Sequence, residues 1–412
     1  MSGTSNLDKI SQGRLSYNWA LKSMKIISKI TEKYEKRKPL AGLDLAFCLH
    51  ITKETSVLIM AARKLGGNII LCSANPLSVQ SDILEFLKDN EIIVHAKTKM
   101  NEKEYLENIK KVLNTNPDLI TDDGSTMHLY CHKMGSKNVI GGTEETTSGI
   151  NRLQVLDTKK LLKYPIIGVN NAYTKYLFDN RYGTGQSTID GILRTTNIFI
   201  PGKNFIILGY GWVGKGISSC LRGLGAQVTV IEVNPIRALE AYMDGYIVSR
   251  IEEVADKGDF FITCTGQKNV LRKEHIDRMK DGVFIANAGH FDVEIDLRYI
   301  KQQDKNPIIV RPNVDSYNIN GKTVNLLSKG RVLNLVGGEG HSPEVMSLSF
   351  GNQLLSILYI IENHKKMQNH LYPVPKNIDN TIAKYALEAF GIEIDNPTKE
   401  QLDYHNEVNI QI

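Results

Sequence analysis

The sequence predicts an α/β protein made of two doubly wound parallel-sheet domains, the second inserted in the first. Three observations carry this. Short apolar runs alternate with helical patterns from residue 43 to residue 123, the alternation restarts near residue 185 around a glycine-rich turn, and the chain returns to long helix from residue 340. Such alternation marks parallel strands joined by crossover helices that cover both faces of a sheet. At 412 residues the chain is also too long for one hydrophobic core and suits two or three domains.

The elements follow in order. Residues 7 to 36 carry helical periodicity, which stops at Pro39. Then come the strand LDLAFCL (43 to 49), the helix KETSVLIMAARKLG, the strand NIILCSA, the helix SVQSDILEFLKDN, the strand EIIVHA, a polar helix from 101 to 115, and the strand PDLITDD. Ligands of such sheets lie beyond the carboxyl ends of the strands. His50, Asn75, Asp123 and Glu145 each follow an apolar strand, so they are expected to converge on one crevice. In the second unit, STIDGILRTTNIFIPGK reads as a helix leading to a turn, and FFITCTG, VFIANAG, PIIVRPNV and GRVLNLV read as further strands. Residues 340 to 364 read as long helix and the last residues as a polar tail.

Composition excludes several classes. Hydrophobic residues are 42% and charged residues 23%, as in an ordinary globular chain rather than a disordered or fibrous one. A net charge of +5 is small for this length, and basic runs such as TEKYEKRKP are interleaved with acids, so no nucleic-acid partner is expected. Five scattered cysteines without a CxxC suggest neither a disulfide framework nor a zinc ribbon. No stretch of 18 apolar residues and no signal-peptide core is seen, which points to a cytoplasmic protein with no membrane partner.

The segment NFIILGYGWVG places Gly209, Gly211 and Gly214 in GxGxxG spacing between a strand and a helix. The first glycine permits the tight turn, the second lets a pyrophosphate approach the backbone, and the third lets the helix pack against the strand. A second strand, QVTVI, ends in Glu232 about 20 residues on. An acid there accepts hydrogen bonds from ribose hydroxyls and repels a 2′-phosphate. The loop is therefore read as a Rossmann site for NAD rather than NADP.

With these motifs stand CLHITKET (48 to 55), SANPLSVQ (73 to 80), DDG (122 to 124), GGTEETTSG (141 to 149), TKYLFDNRYG (174 to 183), NAGHFDVEID (287 to 296) and GHSPEVM (340 to 346). In order and spacing the chain resembles the S-adenosylhomocysteine hydrolase family over nearly its whole length, in its short-tailed prokaryotic form. The resemblance implies a substrate-binding domain over 1–183 and 340–390, an NAD-binding domain over 184–339, a C-terminal tail over 391–412, and a homotetramer with one tightly bound NAD per subunit. It implies reversible hydrolysis of S-adenosyl-L-homocysteine, a nucleoside thioether, to adenosine and homocysteine. The family's cycle is oxidation at the 3′ carbon, loss of the 4′ proton with expulsion of homocysteine, water addition and reduction.

Such a cycle needs a base at the 4′ carbon, a group assisting the 3′ oxygen and an acid/base for the sulfur and water. By resemblance Asp123 is the 4′ base, and Lys175, paired with Asp179 and supported by Asn180, draws the 3′-hydroxyl proton. Glu145 holds the ribose hydroxyls, and His50 and His290 handle protons. Thr52, Glu54, Thr55, Asn75 and His341 are implied for the substrate. Gly209, Gly211, Val213, Gly214 and Glu232 hold NAD, with Thr146, Thr147, Ser148, Thr265 and Asn334 as further contacts. Glu54 favours adenine, because a carboxylate accepts from the exocyclic amine and repels the oxo group of hypoxanthine.

Three departures from the commonest pattern are visible: Thr184 in place of a cysteine after YG, Trp212 in place of an aspartate in the glycine loop, and Ser342, which lengthens the usual GHP. The tripartite HLYCH pattern (His128, Cys131, His132) has metal-like spacing but no fourth ligand, so it is read as a partly exposed helix face and no metal is expected. The alternative readings are the same chemistry on S-inosylhomocysteine, a plain NAD dehydrogenase, and a non-catalytic NAD-binding regulator.

Overall fold

The computed structural model describes residues 6–135 and 138–406. The chain opens with two helices, Asn6–Ser23 and Lys25–Tyr34, separated at Met24, where the backbone leaves helical geometry. Its strands are β1 (Asp44–Leu49), β2 (Asn68–Ser73), β3 (Ile93–His95), β4 (Leu119–Asp122), β5 (Gly141–Glu144), β6 (Ile166–Gly168), β7 (Asn204–Leu208), β8 (Gln227–Ile231), β9 (Ile247–Val248), β10 (Phe260–Thr263), β11 (Val283–Asn287), β12 (Ile308–Arg311), β13 (Val314–Ile319), β14 (Lys322–Leu327) and β15 (Leu371–Pro373).

Among the described residues the strands form two sheets. The first has seven strands in the order β15-β6-β5-β4-β1-β2-β3, all pairs parallel. Its last strand, β15, arrives after the whole second sheet. The second has eight strands in the order β12-β13-β14-β11-β10-β7-β8-β9. Strand order reverses beside β1 in the first sheet and beside β7 in the second, and those crevices are where α/β sheets bind ligands. In the second sheet Phe205, Phe260 and Phe284 lie in register on β7, β10 and β11, and their rings stack at 4.7 and 4.6 Å. This cross-strand aromatic ladder fixes the register that places the glycine turn.

The second sheet is not wholly parallel. β12, β13 and β14 form an antiparallel meander at one edge. The turn between β13 and β14 is Asn320-Gly321, both with positive φ, flanked by alternating apolar residues. That is a strong hairpin signal, and it went unread in the sequence. GRVLNLV, expected as a strand, is instead a 3-10 turn followed by the short helix Leu333–Val336. Its apolar residues do not alternate, and Leu333 packs on the core of the second domain while Asn334 is turned into a different environment. The tail, read as polar, contains the helix Lys399–Asn406, and 407–412 lie outside the described residues.

Helix Pro343–Asn363 packs in the first domain's core beside Lys25–Tyr34. It is long and apolar enough by composition to span a membrane, but 72% of the relevant window is buried inside the molecule, as in a core helix. The helix after it, Lys376–Phe390, returns to the site: Asp379 accepts hydrogen bonds from the Tyr173 and Thr174 amides at 2.7 and 2.9 Å and from the Thr174 hydroxyl. One buried carboxylate thus caps the short helix Tyr173–Tyr176, which carries Lys175. Replacing Asp379 with Ala leaves the buried Thr174 amide unpaired, a loss of about 1–3 kcal/mol, and frees the part-buried Tyr173 amide. Urea unfolding of Asp379→Ala is expected to show a midpoint shifted to lower urea; an unchanged midpoint would remove the capping role.

Candidate active site

The two domains share a cavity of about 1100 Å³, whose wall includes residues from both sheets. Most of the residues expected at the site line it: His50, Thr52, Glu54, Thr55, Asp123, Glu145, Thr146, Thr147, Ser148, Lys175, Asp179, Asn180, Gly209, Gly211, Val213, Glu232, Thr265, His290, Asn334 and His341. The reason is register. Cys48 on β1 pairs with Asp122 on β4, which pairs with Glu144 on β5, so the residues just beyond these strand ends meet at one edge.

Two expected residues do not line the cavity. Asn75 is spent on its own turn, where its Oδ1 accepts from the Leu77 amide at 2.9 Å and its carbonyl accepts from Ser73 and Ser78. Its reach to the site is indirect, since the Ser78 hydroxyl lies 2.5 Å from His50 Nδ1. Gly214 sits behind the loop, where an added Cβ would stand 2.0 Å from the Gly209 carbonyl oxygen. Close helix packing is all it supplies.

Asp123 lies between two imidazoles, with His50 Nε2 3.4 Å from Oδ2 and His290 Nδ1 3.6 Å from Oδ1. Burial pushes its carboxyl above the ordinary range despite His290 and Lys175. Burial also lowers both imidazoles to about 4, so both are neutral near pH 7 and free to donate or accept a proton. Gly124, with φ of +95°, follows at once; a Cβ there would stand 2.5 Å from His290 Nε2. Only glycine lets the strand β4 loop and the second domain's histidine approach this closely. The loop is held by Glu144, fully buried, which accepts from the Gly124 and Ser125 amides, the Ser125 hydroxyl and the Thr146 amide and hydroxyl.

Lys175 is 4% exposed and surrounded by acceptors. Its Nζ donates to Asn170 Oδ1 at 3.0 Å and Asn180 Oδ1 at 2.9 Å, and stands 3.4 Å from Asp179 and 3.7 Å from Glu145. Burial disfavours the ammonium, but Asp179, Glu145 and Asp123 outweigh it and raise the lysine above its ordinary range. Lys175, expected to assist the 3′ oxygen, is thus held toward its ammonium form. Asp179, although burial pushes it up, is held well below the usual carboxylate range by Lys175 and His341. Glu145 goes the other way: burial raises it to about 7, although Lys175 and the Ser349 hydroxyl oppose this. His341 completes the row, its Nδ1 3.2 Å from Asp179 and its Nε2 3.2 Å from the Thr184 hydroxyl. The Asp179 carboxylate accepts from His341 Nδ1, and the Thr184 hydroxyl also lies 3.4 Å from the Asp179 carbonyl oxygen.

On the second domain Gly209 adopts φ of +110° and Gly211 has open space where a Cβ would point, with only Arg237 near at 3.8 Å. Helix Trp212–Gly223 starts there with its free amides toward the cavity wall. Glu232, at the end of β8, is fixed by the Tyr210, Val233 and Asn234 amides at 2.7 to 2.9 Å. An open glycine cradle, a helix start and a fixed strand-end carboxylate fit a dinucleotide with free ribose hydroxyls.

Comparison with known proteins agrees with this geometry. Residues 180–340 match the model of the S-adenosyl-L-homocysteine hydrolase NAD-binding domain, and residues 4–138 match the S-adenosyl-L-homocysteine hydrolase model. The chain is 50% identical to an adenosylhomocysteinase of Sulfurisphaera tokodaii, over 97% of both chains. The chain belongs to the S-adenosyl-L-homocysteine hydrolase family. It is also 48% identical to an adenosylhomocysteinase of Sulfolobus acidocaldarius over 97% of each chain, and 44% identical to an S-inosyl-L-homocysteine hydrolase of Methanocaldococcus jannaschii over 95% of each.

Several residues of this family member's site escaped the sequence reading. Ser349 and Gln353 both donate to Glu145 from helix Pro343–Asn363. Their signal was a polar i, i+4 pair in an otherwise apolar helix. Asn170 and Glu144 had no signal of their own, since each works only through a neighbour brought by the fold. Trp212, at one departure from the family pattern, packs on Tyr176 at 5.3 Å with the Lys215 ammonium over it at 4.4 Å. The HLYCH helix face is buried rather than partly exposed: His128 is fully buried and bonds Tyr164 and the Thr143 carbonyl, and Cys131 is 1% exposed. His132 is half-buried and bonds the His128 carbonyl. The face is thus more buried at His128 and Cys131 than expected, because Tyr164 and β5 cover His128, while His132 stays partly exposed.

Glu145 makes a pH prediction. Its carboxyl rises from an ordinary value of 4.5 to about 7 on folding, so between those values the folded chain binds more protons than the unfolded one. Its contribution to stability is complete below about pH 4.5 and is lost as the pH rises through 7. Glu145→Gln has no such titration. The stability of the wild type minus that of the variant, from urea unfolding, is therefore expected to fall between pH 5 and pH 8; a pH-independent difference would contradict the assignment.

Proposed function

We propose that this chain catalyses the reversible hydrolysis of S-adenosyl-L-homocysteine to adenosine and L-homocysteine, as a cytoplasmic homotetramer with resident NAD. The observation that carries the reading is the meeting, in one cavity, of a dinucleotide cradle with Asp123 between two neutral histidines and Lys175 among carboxylates. A plain dehydrogenase has no use for the first of these groups, and a non-catalytic regulator has no use for either.

Gly209, Gly211, Val213 and Glu232, with Thr146, Thr147, Ser148, Thr265 and Asn334, would hold NAD, which when bound would supply reversible oxidation at the 3′ carbon. The chain's own residues do the rest. Lys175, as an ammonium, donates to the 3′ oxygen and favours its deprotonated form, and Glu145, raised to about 7, is the neighbour able to hold the released proton near neutral pH. Asp123 takes the 4′ proton; a desolvated carboxylate is a stronger base than one in water. His50 and His290, both neutral, pass protons to the leaving sulfur and from the incoming water. Asp179 and Asn180 keep Lys175 in place, and His341 is oriented by Asp179 and Thr184. Two lobes around one cavity exclude bulk water from the activated nucleoside.

Glu54 supports adenine over hypoxanthine, the alternative raised by the inosyl relative from Methanocaldococcus jannaschii, because it is a buried carboxylate beside Thr52 and Thr55 on the cavity wall. The test is the synthetic reaction with the purified chain, homocysteine, and either adenosine or inosine, without added NAD. Thioether formed mainly from adenosine is expected. Product mainly from inosine would move the chain to the inosyl reaction, and no product even with NAD supplied would overturn the proposal.

A further inference from the structure

Glu54 has an arrangement that the reaction does not call for. It is 2% exposed, and among the described residues its Oε1 has no hydrogen-bond partner. The Lys53 ammonium stands 3.3 Å from that atom. Lys53 is held from its other side by Glu339, whose Oε2 lies 2.9 Å from Nζ, and Glu339 Oε1 in turn lies 3.0 Å from the Arg194 guanidinium. Four charges of alternating sign therefore run from the cavity wall to the surface. Side-chain exposure rises along the row from 2% at Glu54 through 12% at Lys53 to 54% at Glu339 and 52% at Arg194.

The dry end and the wet end of this row do different work. At the surface, Glu339 and Arg194 are screened, and their pairing adds little to stability. At the wall, little water intervenes between Lys53 and Glu54, so their attraction is strong. Burial still raises the Glu54 carboxyl above its ordinary value, and the Lys53 ammonium 3.3 Å away is the first force that limits this rise. Lys53 belongs to the first lobe, and its anchor comes from the loop before Pro343, 286 residues further on. The position of the ammonium is thus set by the fold rather than by its own flexible stem.

The charge state of Glu54 decides which purines can be told apart. An ionised carboxylate only accepts hydrogen bonds, whereas a protonated one also donates. A 6-amino purine offers a donor and satisfies the carboxylate. A 6-oxo purine brings an acceptor oxygen against it, leaving two buried acceptors facing each other. A neutral Glu54 would donate to that oxygen, and the discrimination would disappear.

We propose that Lys53, anchored by Glu339, is the specificity-determining residue of the purine subsite: it holds Glu54 as an acceptor-only carboxylate, so that the site takes a 6-amino purine and rejects a 6-oxo purine. The inference rests on the reading of the cavity as a purine-nucleoside thioether site. Lys53 acts through Glu54 and is a positioning residue, so its test reads selectivity rather than rate alone.

The experiment measures kcat/KM for thioether synthesis at pH 7 from homocysteine with adenosine and with inosine, using the full chain with its bound cofactor. Lys53→Met keeps the apolar stem and removes the charge. It is expected to lower the adenosine-to-inosine ratio about tenfold or more, the scale of a lost polar discrimination, while Lys53→Arg, which keeps the charge, retains the ratio. Glu54→Gln, whose amide both donates and accepts, is expected to lower the ratio with Lys53 in place, and it serves if Lys53→Met does not fold. Equal losses on both nucleosides in Lys53→Met, or an unchanged ratio in Glu54→Gln, would overturn the proposal while leaving the hydrolase reading intact. Wild-type protein that makes thioether from neither nucleoside would instead sink the hydrolase reading, and this inference with it.

Discussion

The site depends on burying one ammonium. Lys175 is almost fully removed from water, a cost of several kcal/mol for an isolated ion. It is tolerated because two amide oxygens and two carboxylates stand around Nζ at 2.9 to 3.7 Å. Those four partners come from three places in the chain: Asn170 after β6, Asp179 and Asn180 in the π-turn after Tyr173–Tyr176, and Glu145 beyond β5. Each must be fixed by something else, and much of the first domain's polar interior does that fixing. Asp379 caps the lysine's helix, Ser349 and Gln353 hold Glu145, and Glu144 ties the Asp123 loop to Thr146.

The same burial divides labour among the acids. Asp179 is driven to stay ionised because it faces Lys175 and His341, whereas Glu145 and Asp123 rise because desolvation exceeds what their cationic neighbours return. Pairs of ionisable groups pushed apart in this way are how a site runs acid and base chemistry at one pH. The wide separation in sequence between residue 50 and residue 341 is the price of assembling such a set from two strand edges and a returning helix.

Much of this was readable beforehand, and the reasons are local. The first sheet's strands are continuous apolar runs ending in polar residues, so the positions of His50, Asp123 and Glu145 followed from where each run stopped. The glycine loop followed from spacing plus flanking strands. What could not be read depended on contacts made at a distance. Asn75 looks like a strand-end site residue, but its side chain closes its own turn. Asn170, Glu144 and Asp379 carry no motif, because their roles exist only once other segments arrive. The ammonium form of Lys175 is set by Asp179, which its i, i+4 spacing already announced, together with Glu145 and Asp123, whose proximity no spacing reveals. The β13–β14 hairpin, by contrast, was signalled by Asn320-Gly321 and overshadowed by the expectation of a uniformly parallel sheet.

Asp123, buried and flanked by two neutral histidines, is the base proposed for the 4′ proton. Its most direct test is exchange of the 4′ hydrogen of adenosine with solvent deuterium, followed by NMR with the NAD-loaded chain and no homocysteine, for wild type and Asp123→Asn. Exchange is expected in the wild type, with a rate lower by at least about a hundredfold in the variant, the usual scale of a lost general base, and with absorbance at the reduced-nicotinamide band still appearing when nucleoside is added. Exchange at the wild-type rate in Asp123→Asn would contradict it and pass the role to one of the histidines.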